Sequence, residues 1–81
     1  MNIIVVGSGG REHTICWKLA QSSLVDKIIV VPGNGGTADE NKCVNVNPKD
    51  CDYIAEGEIV CIPWGGTPNV KYYKGKFKLY K

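Results

Sequence analysis

The sequence has few of the residues from which small proteins build metal centres. It contains a single histidine and four cysteines, and no two cysteines have the Cys-x-x-Cys spacing typical of zinc sites. No apolar run approaches the about 20 residues that span a bilayer. The first residues form an apolar segment without the basic start and cleavage site of a signal peptide. We therefore expect no metal site, no membrane partner, reduced thiols and a cytoplasmic location.

Acidic side chains are absent from the last eleven residues, which contain five lysines. Residues 1–50, in contrast, carry five basic and five acidic side chains. A basic C-terminal segment suits an anionic partner, or a solvent-exposed edge strand that lysines protect from aggregation. The chain of 81 residues has the size of one small domain.

The first 47 residues have the pattern of an α/β unit. Residues 3–6 and 27–31 are short β-branched runs suited to buried parallel strands, and residues 11–21 between them have helical apolar spacing. Residues 38–42 are polar enough for a helical turn, and residues 43–46 are a weak third strand. The predicted fold class is α/β, with a partial Rossmann-like βαβ unit of parallel strands.

The pattern changes after residue 47. Residues 58–62, 70–73 and 76–80 are strand candidates separated by Gly- and Pro-containing turns, which predicts a C-terminal antiparallel β meander. We divide the chain into residues 1–50 and residues 51–81, two segments of different origin that can pack into one domain. Trp17 and Trp64 lie one in each segment, and contact between them would join the two halves.

Two glycine-rich segments follow the first two predicted strands, GSGGREH at residues 7–13 and PGNGGT at residues 32–37. The carboxyl ends of parallel strands lie at one edge of a sheet, so both segments should converge there. Glu12 replaces the last glycine of the dinucleotide fingerprint, and the second strand ends without an acid, which disfavours nicotinamide or flavin binding. A site for a smaller phosphate and a turn needed for close packing both remain open, and Asn34 and Thr37 are candidates to bind a sugar hydroxyl.

These segments also carry a resemblance to a known family. The sequences VGSGGREH at residues 6–13, WKLAQS at residues 17–22 and PGNGGTA at residues 32–38 resemble the N-terminus of phosphoribosylamine–glycine ligase, also called glycinamide ribonucleotide synthetase. The resemblance covers residues 1 to about 47. It implies a Rossmann-like domain in which the first glycine loop holds a ribose phosphate. The matching substrate-binding positions are Gly7, Gly9, Gly10, Arg11, Glu12, His13, Asn34 and Gly35, among which His13 has no assigned role.

The resemblance also defines what this chain lacks. The family joins phosphoribosylamine to glycine in purine biosynthesis with ATP and Mg²⁺, which act on ATP-grasp domains absent from these 81 residues. No catalytic residue and no cofactor is therefore assigned here, and we expect no ligase activity from the chain alone. The leading hypothesis is a truncated or chimeric ligase fragment that keeps at most a loop for a phosphoribosyl ligand.

Two other hypotheses concern residues 51–81, which faintly resemble β-rich segments of type I restriction specificity subunits. Interleaved lysines and aromatics suit a nucleic-acid-binding module, with Phe77 as a further stacking candidate. The competing interpretation is a hairpin with its tyrosines on the core face. A third hypothesis is a ligand-free chimeric or designed fold that forms a homo-oligomer through an exposed sheet edge. The candidate nucleic-acid contacts are Lys71, Tyr72, Tyr73, Lys74 and Lys76.

Overall fold

The computed structural model describes residues 1–47, 53–63 and 69–80. Within these residues the chain forms a four-stranded sheet, a three-stranded sheet and two helices. The elements in chain order are β1 (Asn2–Gly7), α1 (Gly10–Ala20), β2 (Lys27–Pro32), α2 (Gly35–Asp39), β3 (Cys43–Asn45), β4 (Tyr53–Gly57), β5 (Ile59–Cys61), β6 (Asn69–Tyr73) and β7 (Lys76–Tyr80).

The larger sheet is parallel throughout and has the strand order β3-β2-β1-β5. The two apolar runs identified in the sequence are neighbours in it, with Ile3 opposite Ile28 and Val6 opposite Val31. All four of these side chains are buried because both faces of the sheet are covered. The α/β fold class and the parallel pairing of these two strands are confirmed.

The position of β5 corrects one prediction. Residues 58–62 were expected in the antiparallel meander, but β5 pairs in parallel with β1. Val60 packs against the core on one face of the sheet and Cys61 against the core on the other. A strand with apolar partners on both faces fits a parallel sheet that is covered on both sides better than a hairpin with one solvent-exposed face.

The smaller sheet is antiparallel and has the order β4-β7-β6. Its hairpin β6–β7 turns through Lys74 and Gly75, both at positive φ (52° and 81°). Such a pair of central residues matches the twist of the two strands. The antiparallel hairpin predicted at residues 70–80 is confirmed, and β4 adds a strand that lies before the first predicted one.

The two sheets share part of their core. One apolar cluster lies between the parallel sheet and α1, around Val5, Cys16 and Ile28. The cluster on the opposite face joins Ile4 and Ile29 of the parallel sheet to side chains of the smaller sheet. The contributors from the smaller sheet that are buried are Ala55 and Leu79.

The smaller sheet thus covers the face of the parallel sheet that α1 leaves open. Trp17 takes no part in this junction, because its side chain is 52% exposed, and Trp64 lies outside the described residues. Among the described residues, no helix has the length and apolar character to cross a membrane.

Candidate functional site

The two glycine-rich loops meet at the carboxyl edge of the parallel sheet, as predicted. The backbone N–H of Gly33 donates to the carbonyl oxygen of Gly7 over 3.0 Å. The side-chain amide of Asn34 donates to the carbonyl oxygens of Ser8 (2.8 Å) and Gly9 (3.1 Å). Gly9 is the N-cap of α1 and Asn34 is the N-cap of α2, so the N-termini of both helices lie side by side.

Asn34 uses its whole amide group within the protein. Its Oδ1 accepts a hydrogen bond from the backbone N–H of Thr37 (2.9 Å), while its Nδ2 bridges to the first loop. Its backbone N–H donates to the hydroxyl of Thr37, and its carbonyl oxygen accepts from Nδ2 of Asn45. The geometry therefore makes Asn34 a brace between the loops, and a contact of this residue with a sugar hydroxyl stays a prediction.

Thr37, which is buried, and Asn45, which is half-buried, form a polar support for the second loop. The Thr37 hydroxyl lies 2.8 Å from Oδ1 of Asn45 and 3.0 Å from the carbonyl oxygen of Asn34, and its single proton serves one of them. Thr37 is fully buried. Asn45 was missed at the level of sequence, although a polar residue at the carboxyl end of a predicted parallel strand belongs to this edge.

Glu12 caps the first turn of α1 with its side chain. Its side chain is buried, and Oε2 accepts a hydrogen bond from the backbone N–H of Gly9 (2.9 Å). Its other oxygen lies 3.7 Å from Nε of Arg11, whose side chain is 61% exposed. Gly7 has a φ of 149°, and a Cβ at this position would overlap the Glu12 side chain. Gly7 and Glu12 thus act together to shape the loop.

Gly10 and Gly35 lie at the start of their helices, where a side chain would have space among the described residues. Outside its own helix turn and chain neighbours, no described atom lies within 4 Å of the position that a Cβ would take at either glycine. Gly9 has no side chain with which to cap α1, so the amides of the first turn have no side-chain partner at the N-cap. Those amides carry the positive end of the helix dipole. Among the described residues, the site therefore presents backbone donors and the Arg11 guanidinium on one edge of the sheet.

His13 lies one turn behind this edge and joins α1 to the segment after α2. Its Nε2 is 3.0 Å from Oε2 of Glu40. Gly36 packs so tightly on the imidazole that a Cβ there would lie 2.5 Å from Nδ1. His13 and Glu40 also line a cleft of about 220 Å³ together with Thr14 and Trp17. The sequence gives no signal for Glu40, which lies in a polar stretch without periodicity.

The candidate nucleic-acid residues lie on the hairpin β6–β7 of the smaller sheet. Tyr72 and Tyr73 are 67% and 54% exposed, so neither ring is buried in the core, although Tyr72 lies on the same face of its strand as Val70, which packs against the core. The ring of Tyr72 contacts that of Phe77, with centroids 5.2 Å apart. Lys71 and Lys76 lie within the two strands, and Lys74 lies in the turn.

Comparison with known proteins decides the family. The family model described as "Phosphoribosylglycinamide synthetase, N domain" matches residues 1–63. The chain belongs to this family. The match passes the boundary near residue 47 that was set from sequence and takes in β4 and β5, so the expectation that residues after 50 leave the family is wrong as far as residue 63.

Curated relatives agree with this assignment. The phosphoribosylamine–glycine ligase of Haemophilus influenzae is 62% identical over 55 residues, which cover 68% of this chain and 13% of that enzyme. The enzyme of Clostridium acetobutylicum is 54% identical over 56 residues (69% of this chain, 14% of the enzyme). The enzyme of Xanthomonas campestris is 61% identical over 67 residues (76% of this chain). The chain spans 16% or less of the length of these three relatives.

Proposed function

We propose that the carboxyl edge of the parallel sheet binds the phosphate of a phosphoribosyl compound, as part of the N domain of a phosphoribosylamine–glycine ligase. The observation that carries this proposal is the contact between Asn34 and the carbonyl oxygens of Ser8 and Gly9. It brings the N-termini of α1 and α2 to one edge of the parallel sheet. Helix N-termini supply N–H donors and positive potential, which together suit a phosphate.

In this proposal the direct contacts come from the first turn of α1. The backbone N–H groups of Gly10 and Arg11 donate to phosphate oxygens, and the absence of a Cβ at Gly10 lets the phosphate approach closely. The exposed guanidinium of Arg11 adds a charge-assisted contact. Gly35 leaves the facing side of the site open.

The other positions that match the family hold the loops and α1 in place and do not contact the ligand in this proposal. Glu12 is a carboxylate near an anion site, which would be unfavourable if it faced the ligand. Its Oε2 is held by the N–H of Gly9 and its Oε1 lies close to Arg11, so it is a positioning residue. Asn34 positions the second loop, and His13 fixes α1 against Glu40.

The proposed activity of this chain is limited to ligand binding. The matched region is a small fraction of each relative, and we propose that ATP, Mg²⁺ and glycine are handled by parts of those enzymes outside the match. A phosphoribosyl ligand bound at residues 7–13 would then be presented to those parts.

An amide proton–nitrogen NMR titration of the intact chain tests the proposal. Ribose 5-phosphate, glycinamide ribonucleotide and inorganic phosphate serve as probes. We expect shifts confined to residues 7–13 and 33–37, largest for Gly10 and Arg11. Gly10→Ala places a methyl group in the cradle without a clash in the protein, and we expect it to weaken binding at least tenfold.

Charge variants supply the matched control. Arg11→Gln should weaken binding, whereas Lys18→Gln removes the same charge from the last turn of α1 and should leave binding unchanged. A well-dispersed spectrum that does not move with millimolar ligand would contradict the proposal. Equal binding by the Gly10→Ala variant would also contradict it.

A further inference from the structure

The three-stranded sheet has one face whose side chains do not belong to the apolar clusters formed by the described residues. Strand alternation directs Val70 and Leu79 inward, where both pack in the cluster shared with the parallel sheet. The cross-strand pairs Lys71–Lys78 and Tyr73–Lys76 are on the opposite side, as is Tyr80. We refer to Lys71, Tyr73, Lys76, Lys78 and Tyr80 as the outer face.

Lysine ammonium groups and tyrosine rings lie close together on the outer face. The Nζ of Lys71 lies 5.2 Å from the ring centroid of Tyr80, and the Nζ of Lys78 lies 5.1 Å from that of Tyr73. Lys74, in the turn, places its Nζ 5.3 Å from the Tyr73 centroid. Each tyrosine ring therefore has at least one ammonium group within cation–π distance.

The charge of this surface is one-sided. The sequence from residue 69 to residue 80 contains four lysines and no acid. Glu56 of the neighbouring strand β4 lies 3.7 Å from Nζ of Lys76, a distance at which an exposed pair interacts weakly. The surface therefore has an excess of positive charge and is complementary to an anion.

We propose that the outer face binds single-stranded nucleic acid. A strand of this kind offers phosphates to the lysines and unpaired bases to the tyrosine rings, and both groups occur together on this sheet. Lysines alone would suit any polyanion, but the rings add a contact that a duplex or an acidic peptide cannot match.

The spacing of the rings supports more than one contact. Tyr73 is opposite Lys76, and Tyr80 is four positions further along β7, so the backbone positions that carry the two rings are about 13 Å apart along the sheet. The lysines that cover the rings are no obstacle, because an exposed cation–π contact is weaker than the stacking of a base on an aromatic ring. An ammonium group that a stacking base displaces from a tyrosine ring stays close enough to contact the phosphate next to that base.

This proposal is independent of the phosphate site. The outer face lies in residues 69–80, after the end of the family match at residue 63. Gly10→Ala, which is expected to block the phosphate site, should therefore leave this binding unchanged.

Fluorescence anisotropy of a labelled 12-nucleotide oligothymidylate, titrated with the intact chain, tests the proposal. We expect the logarithm of the association constant to fall linearly with the logarithm of the salt concentration. The slope should be about −2 to −3 for three to four phosphate contacts. Lys71→Gln should reduce the magnitude of that slope by about 0.7. Lys27→Gln removes an exposed charge from β2 and should leave the slope unchanged.

The aromatic contribution separates this partner from a general polyanion. Tyr73→Ala should weaken oligothymidylate binding about tenfold and leave binding of a heparin fragment within twofold. Tyr73→Leu, which preserves an apolar strand residue, should give the same loss if the sheet stays folded by NMR. Equal affinity for oligothymidylate, duplex and heparin, no effect of either Tyr73 variant, or no binding at low salt would overturn the proposal.

Discussion

Two glycines of the first loop show how the same residue type serves different purposes. Gly7 needs its positive φ and the space beside Glu12, whereas Gly10 lies in an ordinary helical position that no neighbouring side chain among the described residues fills. We predict that Gly7→Ala lowers the free energy of unfolding by about 1–3 kcal/mol, through backbone strain and displacement of Glu12. Gly10→Ala should leave it unchanged or raise it by up to about 1 kcal/mol, because alanine favours the helix.

Urea unfolding of the two variants beside the parent chain checks this contrast. Both substitutions add one methyl group to the same loop, so each is the control for the other. Equal destabilisation by the two variants would contradict the assigned roles.

Cys16 provides a prediction about pH. Its side chain is buried in the core under α1, and this burial raises the pKa of the thiol from 9.0 to about 12, with a smaller contribution from neighbouring Cys43. Between pH 9 and 12 the unfolded chain therefore releases this proton while the folded chain keeps it. The free energy of unfolding should fall as pH rises through that range, by an amount of order 1 kcal/mol per pH unit.

A comparison of parent and Cys16→Ala chains isolates the thiol from other groups that titrate at high pH. The Cys16→Ala chain should be less stable than the parent at pH 8. Between pH 8 and pH 10.5, however, its free energy of unfolding should fall by less than that of the parent. The folded parent should also react slowly with iodoacetamide at Cys16. Parallel pH profiles for the two chains would exclude a contribution from this thiol.

At the scale of elements, Asn34 both caps α2 and joins the two loops. Asn34→Asp retains the oxygen that accepts from the Thr37 N–H but loses the two donations to Ser8 and Gly9. We predict a loss of about 1–2 kcal/mol for the lost donations. Asn34→Ala removes the cap as well, which alone costs about 1 kcal/mol, and should be more destabilising.

Denaturant unfolding with amide hydrogen exchange at Gly33 and Thr37 separates the two roles. In the aspartate variant, exchange should accelerate at Gly33 and remain slow at Thr37. Faster exchange at Thr37 alone would show that the bridge between the loops contributes little.

The elements differ in how far the sequence predicted them. β1, α1 and β2 were predicted because continuous β-branched runs and an 11-residue helical pattern leave little ambiguity. β5 was assigned to the wrong sheet because three apolar residues have no periodicity that distinguishes a parallel strand from a hairpin strand. The loop positions were predicted, but the bonds from Asn34 to the first loop and the support from Asn45 join residues eight or more positions apart.

At the scale of the whole molecule, Leu79 connects the two sheets. It is 2% exposed and belongs to the cluster that contains Ile4 and Ile29 of the parallel sheet. We predict that Leu79→Ala lowers the free energy of unfolding by about 2–5 kcal/mol. Val44→Ala, at a strand position that is 44% exposed, should cost much less.

Hydrogen exchange shows whether this core is shared in solution. In a single cooperative unit, Leu79→Ala should accelerate exchange in β1 and β2 as much as in β7. If the alanine variant does not fold, Leu79→Val is the alternative. It removes less side-chain volume and should accelerate exchange in the same strands to a lesser extent. Loss of protection confined to β4, β6 and β7 would show that the two sheets are separate units.

The sequence by itself determined the parallel β1–α1–β2 unit, the position of the two glycine loops and the family, because each depends on local spacing and residue type. The tertiary structure decided that β5 lies beside β1, that the smaller sheet covers the second face of the larger one, and that lysines and tyrosines share the outer face. The physical reason is that these features come from contacts between residues distant in the chain. Burial of a common apolar core selects those contacts, and no local pattern encodes which partner a strand will meet.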